Sequence, residues 1–346
     1  MQSGAWKNTL IFLTCSLLWV SLGWADDLPG SESYNQLGGG LEEYLVKRGD
    51  QLPAIAQRRA MRWRVLAKQN RLKNPNRLKP GAILKINNRF ILPNDLTDGL
   101  LINLPELTLY HFDKEVFRRR YALAVGKSDW QTPTGTYIIL NKVKNPTWIV
   151  PASIQEEMEE MGKTVLTRVP PGPTNPLGAY WMATSAPGVG IHATTRPWSI
   201  GYYASHGCIR MLPDEIEELF GQVEVGTLVK IIYKPVKLAV TPDNRIFLEV
   251  HRDVYKKIPD SLAMAEALIK ERQVNSLVDW RRVYQVIKDR DGIAEEITKN
   301  PVPAVPDHLS SERLYSGEII LKTNDSTSGT NPPLDPKKKA VGQPGS

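Results

Sequence analysis

A thiol accompanied by two imidazoles is the feature of this sequence most capable of covalent chemistry. Residues 202–211 read YYASHGCIRM, with His206 two places before Cys208 and a further histidine, His192, sixteen places before it. A cysteine attacks as its thiolate, so it needs a neighbour that takes or masks the proton, and imidazole is the side chain suited to that near neutrality. Gly207, lacking a Cβ, permits a tight backbone and the approach of a carbonyl, so the Gly207 and Cys208 amides are candidates for an oxyanion hole. Arg210 follows, and a guanidinium can hold a carboxylate through two parallel hydrogen bonds or simply tie the loop together.

Other chemistry is open to the same side chains. His192, His206 and Cys208 are all acceptable zinc ligands and would leave a fourth position for water in a hydrolase, although their spacing matches no usual zinc signature. A free cysteine also serves as a small buried hydrophobe. Against that bland role stand the adjacent glycine and the two histidines.

The chain of 346 residues, 41% apolar, exceeds what one hydrophobic core usually holds, so two or three domains are expected. Its formal charge of +7 suits an anionic partner without choosing among nucleic acid, membrane surface and acidic polymer. Residues 1–25 have the pattern of a secretory signal: Lys7 is the basic flank, Leu10 to Val20 the apolar run, and Gly23-Trp24-Ala25 the small-residue cleavage site, with processing expected before Asp26. That apolar run falls short of the ~20 residues needed to span a bilayer. Loss of Cys15 with the signal would leave Cys208 as the single cysteine of the exported chain, excluding an intramolecular disulfide.

A linker is expected over 26–42, around Gly38-Gly39-Gly40. Beyond it, Glu43 to Val46 reads as a strand, Asp50 as a helix cap, Pro53 to Arg59 and Met61 to Asn70 as short helices, and Ala82 to Ile86 as a returning strand. LVKRGDQLPAIAQR, LAKQN and NPNRLKPGAILKI together resemble a LysM module over 43–88, which implies a β-α-α-β fold and binding of N-acetylglucosamine-containing glycans. Trp63 is a candidate for stacking on a sugar, or for core packing.

Strand-like stretches follow at Leu107 to Tyr110, Tyr121 to Val125, Thr136 to Leu140, Ala179 to Ala183 and Val189 to His192, separated by Gly- and Pro-rich connections. Asp214 is placed to cap a helix over Ile216 to Phe220, which leads to a strand at Leu228 to Ile232. Many short strands so close together predict a β-rich sandwich, with Cys208 on a loop held from both sides.

TPTGTYIIL, NPTWIVPASI, PPGPTNPLGAY and above all IHATTRPWSIGYYASHGCIRM resemble the YkuD-type L,D-transpeptidases, in particular the ErfK/YbiS/YcfS/YnhG group, over residues 98–235. The resemblance implies that Cys208 attacks the third residue of a peptidoglycan stem, releasing D-Ala and forming a thioester that an amine resolves. It makes His192 the general base and acid, gives Gly207 to the oxyanion hole, and leaves His206 supporting, either orienting the loop or exchanging protons. Arg210 becomes a candidate for the stem's carboxylates, although some relatives carry asparagine there, and Ala193 stands where glycine is common. No cofactor or metal is implied.

The expected partners are peptidoglycan, as glycan strand at the LysM module and as stem peptide in the active site, with a lysine-ended outer-membrane lipoprotein as one acceptor; no nucleic acid is expected. The expected location is periplasmic and wall-associated. A water acceptor would make the same thioester chemistry a carboxypeptidase. A non-catalytic wall-binding protein using LysM alone is the reading in which Cys208 does nothing.

After Val236 one strand is read at Arg245 to Val250 and two amphipathic helices around Leu262 to Leu268 and Leu277 to Ile287, with a stop at Asp291-Gly292. Residues 236–300 are thus a C-terminal α/β extension. Residues 301–346, rich towards the end in Ser, Thr, Gly, Pro and Lys, are predicted to be mostly disordered. The architecture expected is mixed and multi-domain: a small β-α-α-β LysM module, a β-rich YkuD-like sandwich and a small α/β C-terminal region.

Overall fold

The computed structural model describes residues 34–301, so the expected signal segment and the tail beyond Pro301 lie outside it. The expected order of architectures holds: a small β-α-α-β unit at the place of the expected LysM module, then a large sheet-built domain. In the first, Leu41–Leu45 pairs antiparallel with Ile83–Asn87, and helices Leu52–Gln57 and Trp63–Gln69 cover one face. Leu52, Ile55, Ala56, Leu66, Leu84 and Ile86 make its core.

Residues 34–42 are not the linker expected. Leu37–Gly38 pairs with Phe90–Ile91, and Tyr34 is buried against Ala239, Phe247 and Ala294. The glycines here serve close approach: the Phe90 ring occupies the space a Cβ on Gly38 would need, 2.2 Å away, and Gly39 turns the chain at φ +67°. Asp50 does not cap the first helix either; its carboxylate accepts from the Lys47 N–H and the Tyr44 hydroxyl, closing the turn before it.

The large sheet has eight strands in the order Ile209–Met211, Gly190–Ala193, Tyr180–Thr184, Gly135–Lys144, Leu228–Ile232, Gly99–Asn103, Thr108–Asp113 and Val116–Ala122. All neighbours are antiparallel except two pairs: Ile209–Met211 beside Gly190–Ala193, and Leu228–Ile232 beside Gly99–Asn103. Alternate residues such as Ile191, Ile209, Met211 and Met182 point into the main core, where helix Pro213–Gln222 adds Ile216 and Leu219. Asp214 lies inside that helix's first turn, not at its cap; Pro213 starts the helix with a preset φ, and Asp214 pairs with Arg58 of the LysM module at 2.7 Å.

Between Lys144 and Tyr180, two residues paired directly across adjacent strands, the chain makes a long excursion. It contains the small ladder of Trp148–Ile149 with Arg168–Val169 and a helix, Ala152–Glu160, that buries none of its residues. The sequence reading missed this helix, since no apolar face is needed where nothing is covered.

The C-terminal region is a three-stranded sheet of Val236–Val240, Ile246–Val250 and Glu295–Glu296 carrying helices Ser261–Glu271 and Trp280–Asp289, each capped by an aspartate, Asp260 and Asp279. Strand Val236–Val240 went unread because Lys237 interrupts its apolar run. The Lys237 ammonium is fully buried, 2.6 Å from Glu106 and 3.1 Å from Glu249, and donates to the Ile91 carbonyl at 2.8 Å. Glu249 also accepts from the Ile91 N–H and meets His251 Nε2, both at 2.6 Å, and its carboxyl is held down at about 2, the attraction of Lys237 and the bond from His251 outweighing burial.

This buried group therefore ties three separate stretches of chain together. Removing the cation leaves two carboxylates without compensation, which costs about 3–5 kcal/mol. Lys237→Met is expected to lose that much stability in denaturant unfolding, whereas loss of under about 1 kcal/mol would show that the carboxylates find another partner.

Candidate active site

Cys208 lies immediately before strand Ile209–Met211, and His192 lies in strand Gly190–Ala193 beside it. The parallel register pairs Ile191 with Ile209, His192 with Arg210 and Ala193 with Met211. Since side chains alternate across a strand, the isoleucines, Ala193 and Met211 enter the core while His192 and Arg210 share the opposite face. Cys208, two residues before Arg210, continues that face and is partly exposed.

The histidine strand is itself fixed by Trp181, directly opposite His192 on the next strand. Its indole tilts over the imidazole at 5.9 Å and fills the space beside Gly190, where a Cβ would come within 2.2 Å of the ring. His192 is buried, and its Nδ1 lies 2.6 Å from the Ala193 carbonyl. A carbonyl only accepts, so Nδ1 carries the proton and the neutral ring keeps its lone pair on Nε2. Burial, aided by the charge of Arg210, lowers this imidazole to about 4, against the opposing pull of the Ala193 and Leu177 carbonyls.

The thiol is displaced the other way. Burial raises its proton affinity, partly offset by the Gly190 N–H and by Arg210, and Sγ contacts the Gly188 carbonyl at 3.5 Å. The resting pair is thus a thiol and a neutral imidazole.

The loop before Cys208 is braced from within and from behind. Gly207 sits at φ +103°, a conformation that favours glycine. Its N–H donates to Ser205 Oγ at 3.2 Å and its carbonyl accepts from Thr132 Oγ1 at 2.8 Å; Ser205 Oγ in turn donates to the Cys208 carbonyl at 2.5 Å. Of the two amides considered for an oxyanion hole, that of Gly207 is engaged by Ser205 Oγ, whereas among the described residues no acceptor faces the Cys208 N–H. Thr132, fully buried, also accepts from the Gly126 N–H at 3.0 Å, and Tyr255 bridges the Thr132 N–H and the Gly126 carbonyl.

His206 points away from this bracing. Its ring meets Trp130 edge-on at 5.1 Å, and Nε2 lies 2.7 Å from Glu157 Oε2 on the excursion helix, off the line of a hydrogen bond. The three potential zinc ligands do not converge: among the described residues the group whose ligand atoms gather is Glu106, Glu249 and His251, and there the Lys237 ammonium already stands.

Arg210 is half-buried with no carboxylate in ion-pair range among the described residues. Of the aromatics close in sequence to the motifs, Trp198 and Tyr202 are exposed, and Tyr202 OH accepts from Trp63 Nε1 of the LysM module at 3.1 Å. Tyr203 packs on Tyr255, and Trp148 lies in the small ladder of the excursion. Sequence reasoning missed Trp130, Trp181, Glu157 and the bracing role of Thr132, although Thr132 opens the TPTGTY motif.

Comparison with known proteins places this geometry. Residues 97–231 match the L,D-transpeptidase catalytic domain of YkuD type, and residues 44–87 match the LysM domain. The chain is 32% identical to the probable L,D-transpeptidase ErfK/SrfK of Salmonella typhimurium over 230 residues, 63% of this chain and 73% of that protein. It is 33% identical to the probable L,D-transpeptidase YcfS of Escherichia coli over 217 residues, 61% of this chain and 68% of that one. Among solved structures, the catalytic domain of the Enterococcus faecium L,D-transpeptidase aligns with 25% identity and a TM-score of 0.31, covering 40% of this chain and 100% of that one.

Two expectations test the site's physics. Thr132→Val removes both hydrogen bonds of a buried hydroxyl while keeping its shape, and should cost about 1–3 kcal/mol and slow acylation of Cys208 by about tenfold or more; an unaltered acylation rate would show that Ser205 alone sets the loop. His192 makes stability depend on acid. Its unfolded imidazole titrates near 6.5 and the folded one at about 4, so between these values the unfolded chain binds more protons. Stability from this residue is complete above about pH 6.5 and falls as pH drops towards 4, by on the order of 3 kcal/mol. Glu215, raised to about 7 by burial, titrates nearby with the opposite sign. The measurement is therefore the thermal midpoint against pH in wild type and His192→Gln, with a shallower acid decline expected in the variant.

Proposed function

The chain belongs to the L,D-transpeptidases of the YkuD type, and we propose that it is an exported, wall-associated enzyme acting on peptidoglycan stems through a Cys208 thioester. The observation that supports this reading is the register of His192 with Arg210, which puts an imidazole and a guanidinium on one face of the sheet with the Cys208 thiol two residues before the latter. His192 Nε2 takes the thiol proton as Sγ attacks the carbonyl of the L-centre in the third stem residue. The C–S bond forms, the C–N bond to D-Ala breaks, and the proton passes from His192 to the leaving amine. The Cys208 N–H supports the oxyanion; Gly207 holds the turn that presents it.

In the second half, an amine gives its proton to His192 and forms the new amide as the C–S bond breaks, restoring the thiol. A lysine of an outer-membrane lipoprotein and the diamino residue of a second stem, in a 3-3 crosslink, are both acceptors of this chemistry, and water in their place would give hydrolysis. Residues 43–88 supply glycan binding and 98–235 the catalytic domain. The docking of Arg58 on Asp214 and of Trp63 on Tyr202 favours one substrate engaging both.

Incubation with a disaccharide tetrapeptide, followed by intact-protein and peptide mass spectrometry, tests the reading. An acyl adduct on Cys208 with release of D-Ala is expected. Cys208→Ala should form none, and His192→Ala should form it about 100-fold more slowly or worse. Adding lipoprotein peptide or a second stem then names the acceptor. No adduct in a folded, reduced protein would overturn the proposal.

A further inference from the structure

Several arginines of this molecule are paired with carboxylates. Arg58 meets Asp214 at 2.7 Å, Arg118 meets Asp113 at 2.7 Å, Arg245 meets Glu296 at 2.8 Å, and Arg119 meets Glu218. Two near the candidate site are not. Arg210 has no ion-pair or hydrogen-bond partner for its side chain among the described residues, and the same holds for Arg196, four residues after His192.

Arg196 is not on a loose loop. Its N–H donates to Thr194 Oγ1 at 3.0 Å, and its carbonyl accepts from Ser199 Oγ at 2.7 Å and from the Ser199 N–H at 2.9 Å. The turn that follows is held by Gln57 of the LysM module, whose Nε2 donates to the Pro197 and Ile200 carbonyls at 3.1 and 3.0 Å. A rigid turn therefore delivers a guanidinium from the end of the histidine strand, next to the strand that carries Arg210. The two charges feel each other: burial and Arg196 both lower the proton affinity of Arg210, while Cys208 raises it. Two like charges that feel each other without a counter-ion, one of them two residues from Cys208, are an arrangement that an anionic ligand relieves.

We propose that Arg196 and Arg210 form a two-cation subsite for the carboxylates of the donor stem, with Arg196 selecting stems whose internal carboxylates are free over those in which they are amidated. The proposal rests on the stem-peptide reading above and deepens it. Arg210, two residues from Cys208, is in reach of the carboxylate nearest the scissile bond. Arg196, in the turn that follows the histidine strand, takes a second one. A stem with its internal carboxylates converted to amides keeps its shape but offers Arg196 no charge.

The test compares wild type, Arg196→Gln and Arg196→Lys on two disaccharide tetrapeptides that differ only in amidation of the internal carboxylates. Wild type should prefer the free acid, and Arg196→Gln should lower that preference, measured as the ratio of kcat/KM values, by about tenfold, chiefly through KM. Arg196→Lys should recover part of it, because charge without the planar fork remains. Equal losses on both stems, or no loss, would overturn the proposal. A second readout does not need stem turnover: Cys208 alkylation by iodoacetate relative to iodoacetamide, followed by peptide mapping, should be greater in wild type than in Arg196→Gln. If no stem is turned over but this ratio falls in the variant, the cation subsite stands and the stem-peptide reading fails. An unchanged ratio sinks the subsite.

Discussion

The parallel pairing of Gly190–Ala193 with Ile209–Met211 is the constraint on which the site depends. Side chains alternate with period two, so a slip of one residue would put His192 into the core and Ile191 on the groove face. The register is locked from both sides. Ile191, Ala193, Ile209 and Met211 are each 0–1% exposed and pack in one apolar cluster, and Trp181 can lie over His192 only because its neighbour is Gly190. The apolar half of two short strands thus positions the polar half.

Support for the Cys208 loop comes from distant parts of the chain. Thr132 reaches Gly207 from the loop before strand Gly135–Lys144, and Tyr255, beyond the catalytic-domain match, holds Thr132 and Gly126. The C-terminal region that carries Tyr255 is anchored by the Lys237 group to Glu106 and to the Ile91 backbone. On another side, the LysM helices grip residues 197–202 through Gln57 and Trp63. A domain cut at the edges of the family match would lose the first of these braces and, on the N-terminal side, the second.

What was legible in the sequence follows from what kind of signal each feature leaves. Strand Leu228–Ile232 was read residue for residue, and the Cys-His motif was found because reactive residue types close together are rare. Features made by proximity across long separations left no local trace. Glu157 reaches His206 across 49 residues of sequence, and Thr132 and Gly207 are 75 apart. Gly38 and Gly39 misled: read as a flexible linker, they are instead glycines demanded by the Phe90 ring and by a left-handed turn. Lys237 misled likewise, since a lysine inside a strand argues against burial unless its carboxylate partners can be seen.

The electrostatics of the site have one further consequence for its chemistry. Desolvation dominates both reacting groups, raising the thiol and lowering the imidazole, so each is neutral at rest. Arg210 acts on both, favouring thiolate and disfavouring imidazolium, and so cannot by itself make the ion pair stable. An anion on Arg210 would cancel both effects together, leaving the Gly190 N–H as the contact that favours thiolate.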